Sequence, residues 1–278
     1  MTGQPENACW LLISKKMGLL DIFKKNQPEK GSPAVPKSEP VDLPLSEDYA
    51  ESLAKTERID TLLAVPAADR DENWLTQFLA DLSGASFSCG TPQVIAGKDG
   101  FPYFQLLLPK KGAEFQSFVI TKMMDDFLLE RGFGVVVNHD GESPQWVLTY
   151  GDILNLHLNG SFFSAESAFN SDMAKAIVAE QEEVMVGQPS EALLPAKTRH
   201  LLRDFFELNG ILEPKILLLM RKDGEGMSQE LAFNITPAQF ETEEHYRNMM
   251  QTVTWYLPRH YSIIGLSDEI FEGEFLPL

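Results

Sequence analysis

Apolar and polar positions follow one order along the first half of the chain, and the second half repeats that order. Trp74, Leu75, Phe78, Leu79 and Leu82 stand at i, i+1, i+4, i+5 and i+8, which predicts an amphipathic helix from about 67 to 82, closed by Gly84 in a left-handed cap. Strand-like runs at 93–96 and 101–108 flank Gly97-Lys98-Asp99-Gly100 and predict a hairpin. Phe118, Val119, Met123, Phe127 and Leu128 predict a helix over 116–131, and Val135-Val136-Val137 a buried strand. In the second half, Leu201, Leu202, Phe205, Phe206 and Leu208 predict a helix opened by Pro195 and closed at Gly210. Strands at 216–220 and 230–235 enclose a turn at 223–226. Thr236-Pro237 reads as a helix start, and Tyr246, Met249, Met250, Val253 and Leu257 line the helix that Pro258 stops. A strand at 261–266 completes the series.

The landmarks are evenly offset. Gly84 and Gly210, Lys98 and Lys222, and the Met pairs at 123 and 249 lie 126, 124 and 126 positions apart. The pattern predicts an α+β protein of two related, superposable αββαβ-type units, each with helices packed on a mainly antiparallel sheet.

The flanks set the domain limits. Ser46, followed by Glu47 and Asp48, predicts a helix start, with Tyr49, Leu53, Ile59, Leu62 and Leu63 as its apolar stripe. Residues 145–149 read as a strand, 152–158 as a short helix or turn, and 182–187 as a strand before the Gln188-Pro189-Ser190 boundary. Pro28, Pro33, Pro36, Pro40 and Pro44, among Lys, Ser and Glu, predict a flexible tether. The expected division is a disordered leader over 1–45, a first domain over 46–180 and a second over 181–278. Met17 is an alternative start.

Charge changes this picture. There are 41 acidic and 23 basic side chains, a net charge of −18. The leader over 1–44 holds six Lys and five acidic residues, leaving −19 on the rest. A body so negative repels phosphate backbones and favours basic protein partners, so nucleic acid is not expected. With only Cys9 and Cys89, no disulfide framework follows, which fits a reducing, cytoplasmic setting. No stretch approaches the roughly 20 apolar residues of a membrane helix.

Candidate chemistry is sparse. His139, His157, His200, His245 and His260 form no zinc-type set. Glu241 and His245 fall at i, i+4 of the predicted helix, but among Thr242, Glu243 and Glu244 they read as a solvated face. Cys89 has no His near it and reads as an inert thiol. The glycine-bearing turns at 97–100 and 222–226 join strand to strand and cannot offer a helix N-terminus to phosphate. Asp125-Asp126 and Glu182-Glu183 are adjacent, so the members of each pair point apart. No catalytic residue, metal ligand, cofactor or small-molecule ligand is predicted.

Two segments carry binding candidates. Leu19, Leu20, Ile22 and Phe23 beside Lys24 and Lys25 make a short amphipathic segment over 17–25, of a composition for weak membrane-surface or partner contact. Docking onto its own body is a third use. Trp255, Tyr256, Arg259 and Tyr261 have the residue types of an interface hot spot, though such residues more often pack helix ends against sheets in a core.

Val186-Gly187-Gln188-Pro189-Ser190, the Leu-rich helix after it, Glu213-Pro214-Lys215-Ile216-Leu217-Leu218 and Leu231-Ala232-Phe233-Asn234-Ile235 together resemble the C-terminal domain of the enhanced serine sensitivity (SseB) family. The resemblance implies a bacterial cytoplasmic protein with a regulatory or interaction role and no catalytic residues to carry over. The leading expectation is a non-enzymatic cytoplasmic adaptor or regulator that binds another protein. The alternatives are an acidic escort chaperone for a basic or partly unfolded client, and an enzyme whose site is assembled from scattered residues.

Overall fold

The computed structural model describes residues 46–138, 144–164, 169, 184–223 and 226–278. The expected leader, with its segment 17–25, lies outside them, as do His139, Glu182-Glu183 and the tip of the second hairpin. The chain divides into two compact units, one of residues 1–123 and 133–147, the other of 124–132 and 148–278. Against the expected limit at 180, residues 148–164 therefore group with the second unit. The cause is local: the helix there is bonded to Thr198 and Arg259.

In the first unit, α1 (Glu47–Leu63) starts where expected, with the Ser46 side chain accepting the Tyr49 amide at 3.3 Å. Its buried face is Ser52, Thr56, Ile59 and Leu63 rather than the stripe through Tyr49 and Leu53. The hydroxyls can sit there because Thr56 donates to the carbonyls of Ser52 and Ser86 at 2.9 and 2.8 Å. The helix expected from 67 starts instead at Glu72 as α2 (Glu72–Leu82), after a separate 3-10 turn at Ala67–Asp69. Asp71 sets that start by accepting the Trp74 amide at 2.7 Å. Trp74, Phe78 and Leu82 form its buried face, with Trp74 stacked on Phe78 at 4.8 Å and Trp146 tilted against both. Gly84 is not left-handed as expected, because the chain continues through Ser83 in right-handed helical geometry.

β1 (Ser88–Ala96) and β2 (Pro102–Leu107) form the expected hairpin, with Gly100 at φ 84° in its turn. β1 starts earlier than expected because a bulge between Cys89 and Val94 carries it past Pro92. There the Gln105 amide donates to the Pro92 carbonyl at 2.6 Å. α3 (Ile120–Met123) leads on to β3 (Gly134–Val137), which pairs parallel with β2, and β4 (Trp146–Leu148) completes the order β1-β2-β3-β4. The helix expected over 116–131 is thus not one α-helix. From Met124 to Leu129 it widens to a π-helix, and Lys197 takes the Asp125 carbonyl at 3.1 Å.

In the second unit, α4 (Tyr150–Asn159) opens on a capping box between Thr149 and Asp152 and closes at Gly160, φ 70°. β5 (Val184–Gly187), β6 (Lys215–Asp223), β7 (Gly226–Phe233) and β8 (Ile263–Gly265) make a sheet in that order, with β9 (Leu276–Pro277) also pairing β6. α5 (Ala196–Leu208) packs on it through Phe206 against Phe233, at 5.4 Å, and ends at Gly210, φ 89°. Thr236-Pro237 opens only a 3-10 turn to Gln239, whose side chain caps the Thr236 amide. α6 (Glu243–Val253) starts later, where Thr242 accepts the His245 amide at 3.1 Å. On one sheet face Leu217, Leu219, Ala232, Ile264 and Phe275 form a buried cluster.

The two sheets share one order of connections. Around each sheet a helix leads to an antiparallel hairpin, and a helical crossover then adds a third strand parallel to the hairpin's second: β1-β2-β3 in one, β6-β7-β8 in the other. Both sheets are mixed for that reason, and the protein is α+β.

Candidate functional site

Of the four residues that the sequence offers to a core or an interface, three are internal. Trp255, Tyr256 and Tyr261 are 6%, 2% and 9% exposed. Tyr150 lies against Trp255 and Tyr256, and its hydroxyl meets that of Thr198 at 3.0 Å. Burial pushes the Tyr150 and Tyr256 phenols well above their ordinary range, and that of Tyr261 up to about 12. Arg259 is half-exposed and works inward. Its Nε and Nη2 bond the two oxygens of fully buried Asp152 at 2.7 and 2.8 Å, and its guanidinium lies 4.7 Å from the Phe163 ring centre. These bonds to Asp152 raise the Arg259 pKa further. Gly151 explains how close the segments come: a Cβ there would sit 1.9 Å from the Leu257 carbonyl oxygen. This is a structural clamp between the start of α4 and the 255–259 segment.

The other charged groups brought together are also paired. Arg221 and Glu230, neither foreseen from sequence, meet at 2.8 Å on neighbouring strands with each residue 8% exposed. Lys197 bonds Asp125 at 2.9 Å, which holds that carboxyl below its ordinary range, and lies 3.7 Å from Glu130. Glu241 and His245 do not share a helix, because α6 starts between them, and the His245 ring meets Phe240 instead. Cys89 is half-buried. Among the described residues no group of three or more His, Cys, Asp or Glu is placed to hold a metal ion. No described helix is long and apolar enough to cross a membrane.

A different surface stands out, at the end of the second unit's sheet where β6 starts. Lys215, its first residue, bonds Asp268 at 2.8 Å. Shallow open depressions of about 450 and 350 Å³ share that pair. The larger is lined also by Glu269, Glu272 and Phe275, the smaller by Leu212, Glu213 and Asn234. The Leu278 amide donates to the Pro214 carbonyl, and Arg203 of α5 donates to the Leu278 carbonyl at 3.1 Å, so α5, the loop after it and the last strand converge here. Three of the six exposed large apolar side chains among the described residues come from these converging segments, Leu208 at 45%, Leu212 at 76% and Leu276 at 48%, and a fourth, Ile270 at 55%, stands on the loop that leads to the last strand. An exposed glutamate neighbours each within two residues. Lys215 is neutralised by Asp268, which holds its pKa up.

Sequence reasoning missed this surface. Leu208 read as core because it continues an apolar helical row, and β9 has too few residues to register as a strand. The only signal was the alternation of glutamate with large apolar residues over 269–276.

No protein-family model, curated protein or solved structure matches the chain.

Proposed function

We propose that this chain is a cytoplasmic, non-enzymatic adaptor or regulatory protein, and that its second unit binds another protein at the surface around Leu208, Leu212, Ile270 and Leu276. The observation that carries the reading is the exposure of these apolar side chains, each beside a glutamate, on segments that lead into the end of the sheet where β6 starts. Apolar patches with polar rims are a mark of interaction surfaces. The acidic rim, on a chain of net charge −18, selects a partner with apolar side chains framed by Lys or Arg. The resemblance of residues 186–235 to the C-terminal domain of the enhanced serine sensitivity family points the same way, towards interaction rather than catalysis. The enzyme reading has less support, since Asp152, Glu230 and Asp125 each spend their charge on a basic partner within the fold. The escort-chaperone reading shares the same surface and differs in the client, which would be unfolded and bound without sequence preference.

The test compares the wild type with a Leu212→Glu/Leu276→Glu double variant in affinity capture from the host, followed by titration with the purified partner. A stoichiometric folded partner that binds the wild type and is weakened at least about tenfold, roughly 1.4 kcal/mol, by the variant supports the reading. A partner bound equally by both proteins removes the surface from consideration.

A further inference from the structure

We propose that the outside partner engages the second unit by strand addition: an extended segment of it, apolar and basic, pairs along the edge formed by β5 and β9. This rests on the reading of Leu276 and its surroundings as a binding surface, and names the mode of recognition there. Both short strands lie along one edge of β6, Leu276 of β9 opposite Ile216 and β5 opposite Leu218 to Arg221, while β7 takes the other edge. From Ile216 to Arg221 this edge runs for roughly 17 Å at about 3.3 Å per residue. Among the described residues no strand lies beyond β5 or β9.

The register fixes which side chains share a face, because residues directly opposite in an antiparallel pair point the same way. Ile216, Leu218 and Met220 alternate onto one face of β6, so their partners Leu276, Gly187 and Met185 follow one another on that face. It is the face on which α5 packs, since Phe206 meets Phe233 and Phe233 lies opposite Ile216. Met185 and Leu276 are 53% and 48% exposed. Gly187 between them has nothing within 4 Å of where a Cβ would sit. The edge therefore offers an apolar side chain, a notch and a second apolar side chain at intervals of about 7 Å, the repeat of one face of an incoming strand. A large apolar side chain opposite Gly187 fills the notch and touches both neighbours.

Edge strands are commonly closed to such pairing by Pro, a charged side chain or a bulge. β1, the end strand of the first sheet, carries both Pro92 and a bulge. β5 has neither Pro nor charge from Val184 to Gly187, and its register on β6 is unbroken. Pro277, without an N–H, ends the edge just beyond Leu276. The charge beside the edge selects the incoming segment. Exposed Glu272 and Glu274 lead into β9, and Lys215 and Arg221 of β6 are each already bonded to a carboxylate. On a chain of net charge −18 this favours Lys or Arg between the apolar residues of the partner, and disfavours a second copy of the same acidic edge.

The probe is a capped peptide of alternating Val and Lys with one central Leu in place of Val. Titrated into the full isotope-labelled chain, it is expected to shift the amide signals of Val184–Gly187 and Leu276 and to slow exchange of the amides that point away from β6. Two analogues carry N-methyl groups on alternate residues, along one edge of the peptide or along the other. One is expected to lose at least about tenfold in affinity and the other to keep it, because an added strand pairs through a single edge. Gly187→Leu fills the notch and is expected to weaken the peptide at least about tenfold with no loss of stability in urea. Absence of binding overturns the proposal, as do shifts confined to other residues, two analogues that bind like the parent peptide, or a Gly187→Leu protein that binds like the wild type. Slow exchange of the outward amides of β5 in the free chain overturns it too, because the edge is then already covered. The failures are separable. If the peptide fails while Leu212→Glu/Leu276→Glu still loses the captured partner, strand addition falls and the binding reading stands. If that variant keeps the partner, the binding reading falls, whatever the peptide shows.

Discussion

Replacing Gly151 with Ala tests the clamp that organises the second unit. A Cβ at this position would lie 1.9 Å from the Leu257 carbonyl oxygen, against the 3.0 Å that real Cβ atoms essentially never breach. The obstacle is backbone, so either the start of α4 or the 255–259 segment must move by more than an ångström. That shift acts on the two Arg259–Asp152 bonds at 2.7 and 2.8 Å and on the packing of Tyr150 against Trp255 and Tyr256. Overpacking of this kind costs about 1–3 kcal/mol, and weakened charge-assisted bonds about 1.5–3 kcal/mol more. Against this stands a gain of at most about 1 kcal/mol from Ala over Gly in a helix. The net expectation is a loss of about 1.5–5 kcal/mol, a large part of the roughly 5–15 kcal/mol that holds a domain folded. Urea unfolding followed by near-ultraviolet dichroism, with amide exchange at α4 to locate the loss, measures it. Gly187→Ala is the control, because nothing lies within 4 Å of a Cβ there, and its effect is expected within about 0.5 kcal/mol of zero. A Gly151→Ala protein as stable as the wild type, with α4 equally protected, would refute the close approach and the clamp with it.

Phe275→Ala empties a side chain 6% exposed within the Leu217, Leu219, Ala232 and Ile264 cluster, and is expected to cost about 3–5 kcal/mol in urea unfolding. Glu230→Leu removes the carboxylate 2.8 Å from buried Arg221 and is expected to cost about 3 kcal/mol by the same measurement. Burial lowers the His260 pKa below its ordinary 6.5, so the unfolded chain binds the extra proton first; this contribution to stability is present above pH 6.5 and is lost as pH falls through the lowered value. His260→Gln should therefore lose less stability than the wild type on acidification, and equal pH slopes in the two proteins would count against the assignment.

How much was legible from residues alone divides along a physical line. The repeat was readable because its markers are local: apolar spacing on Trp74, Phe78 and Leu82, a turn at Gly97–Gly100, a run of three valines. Element starts were misread wherever a better cap stood close by, as Asp71 and Thr242 outcompete the positions first favoured for α2 and α6. The π-helix was not readable, because Lys197, which engages the Asp125 carbonyl, lies 72 positions away. The same holds for Asp152 with Arg259 at a separation of 107. Pairings of that range leave no mark on a single sequence.

The two halves share connections but differ in what they add. The second unit flanks one edge of β6 with β5 and β9, and the Gln188 amide joins the two by donating to the carbonyls of Ile216 and Glu274 at 3.2 and 2.8 Å. The added C-terminal segment serves two opposed ends at once. Phe275 faces the buried cluster and contributes to the core, while the next residue, Leu276, is placed by strand alternation on the opposite face and stays 48% exposed. A segment needed only for stability would gain by carrying a polar residue at that position, as it does at Glu269, Glu272 and Glu274. On the proposed reading Leu276 and Ile270 serve recognition, and the Leu212→Glu/Leu276→Glu protein should unfold in urea like the wild type while binding a captured partner at least about tenfold more weakly.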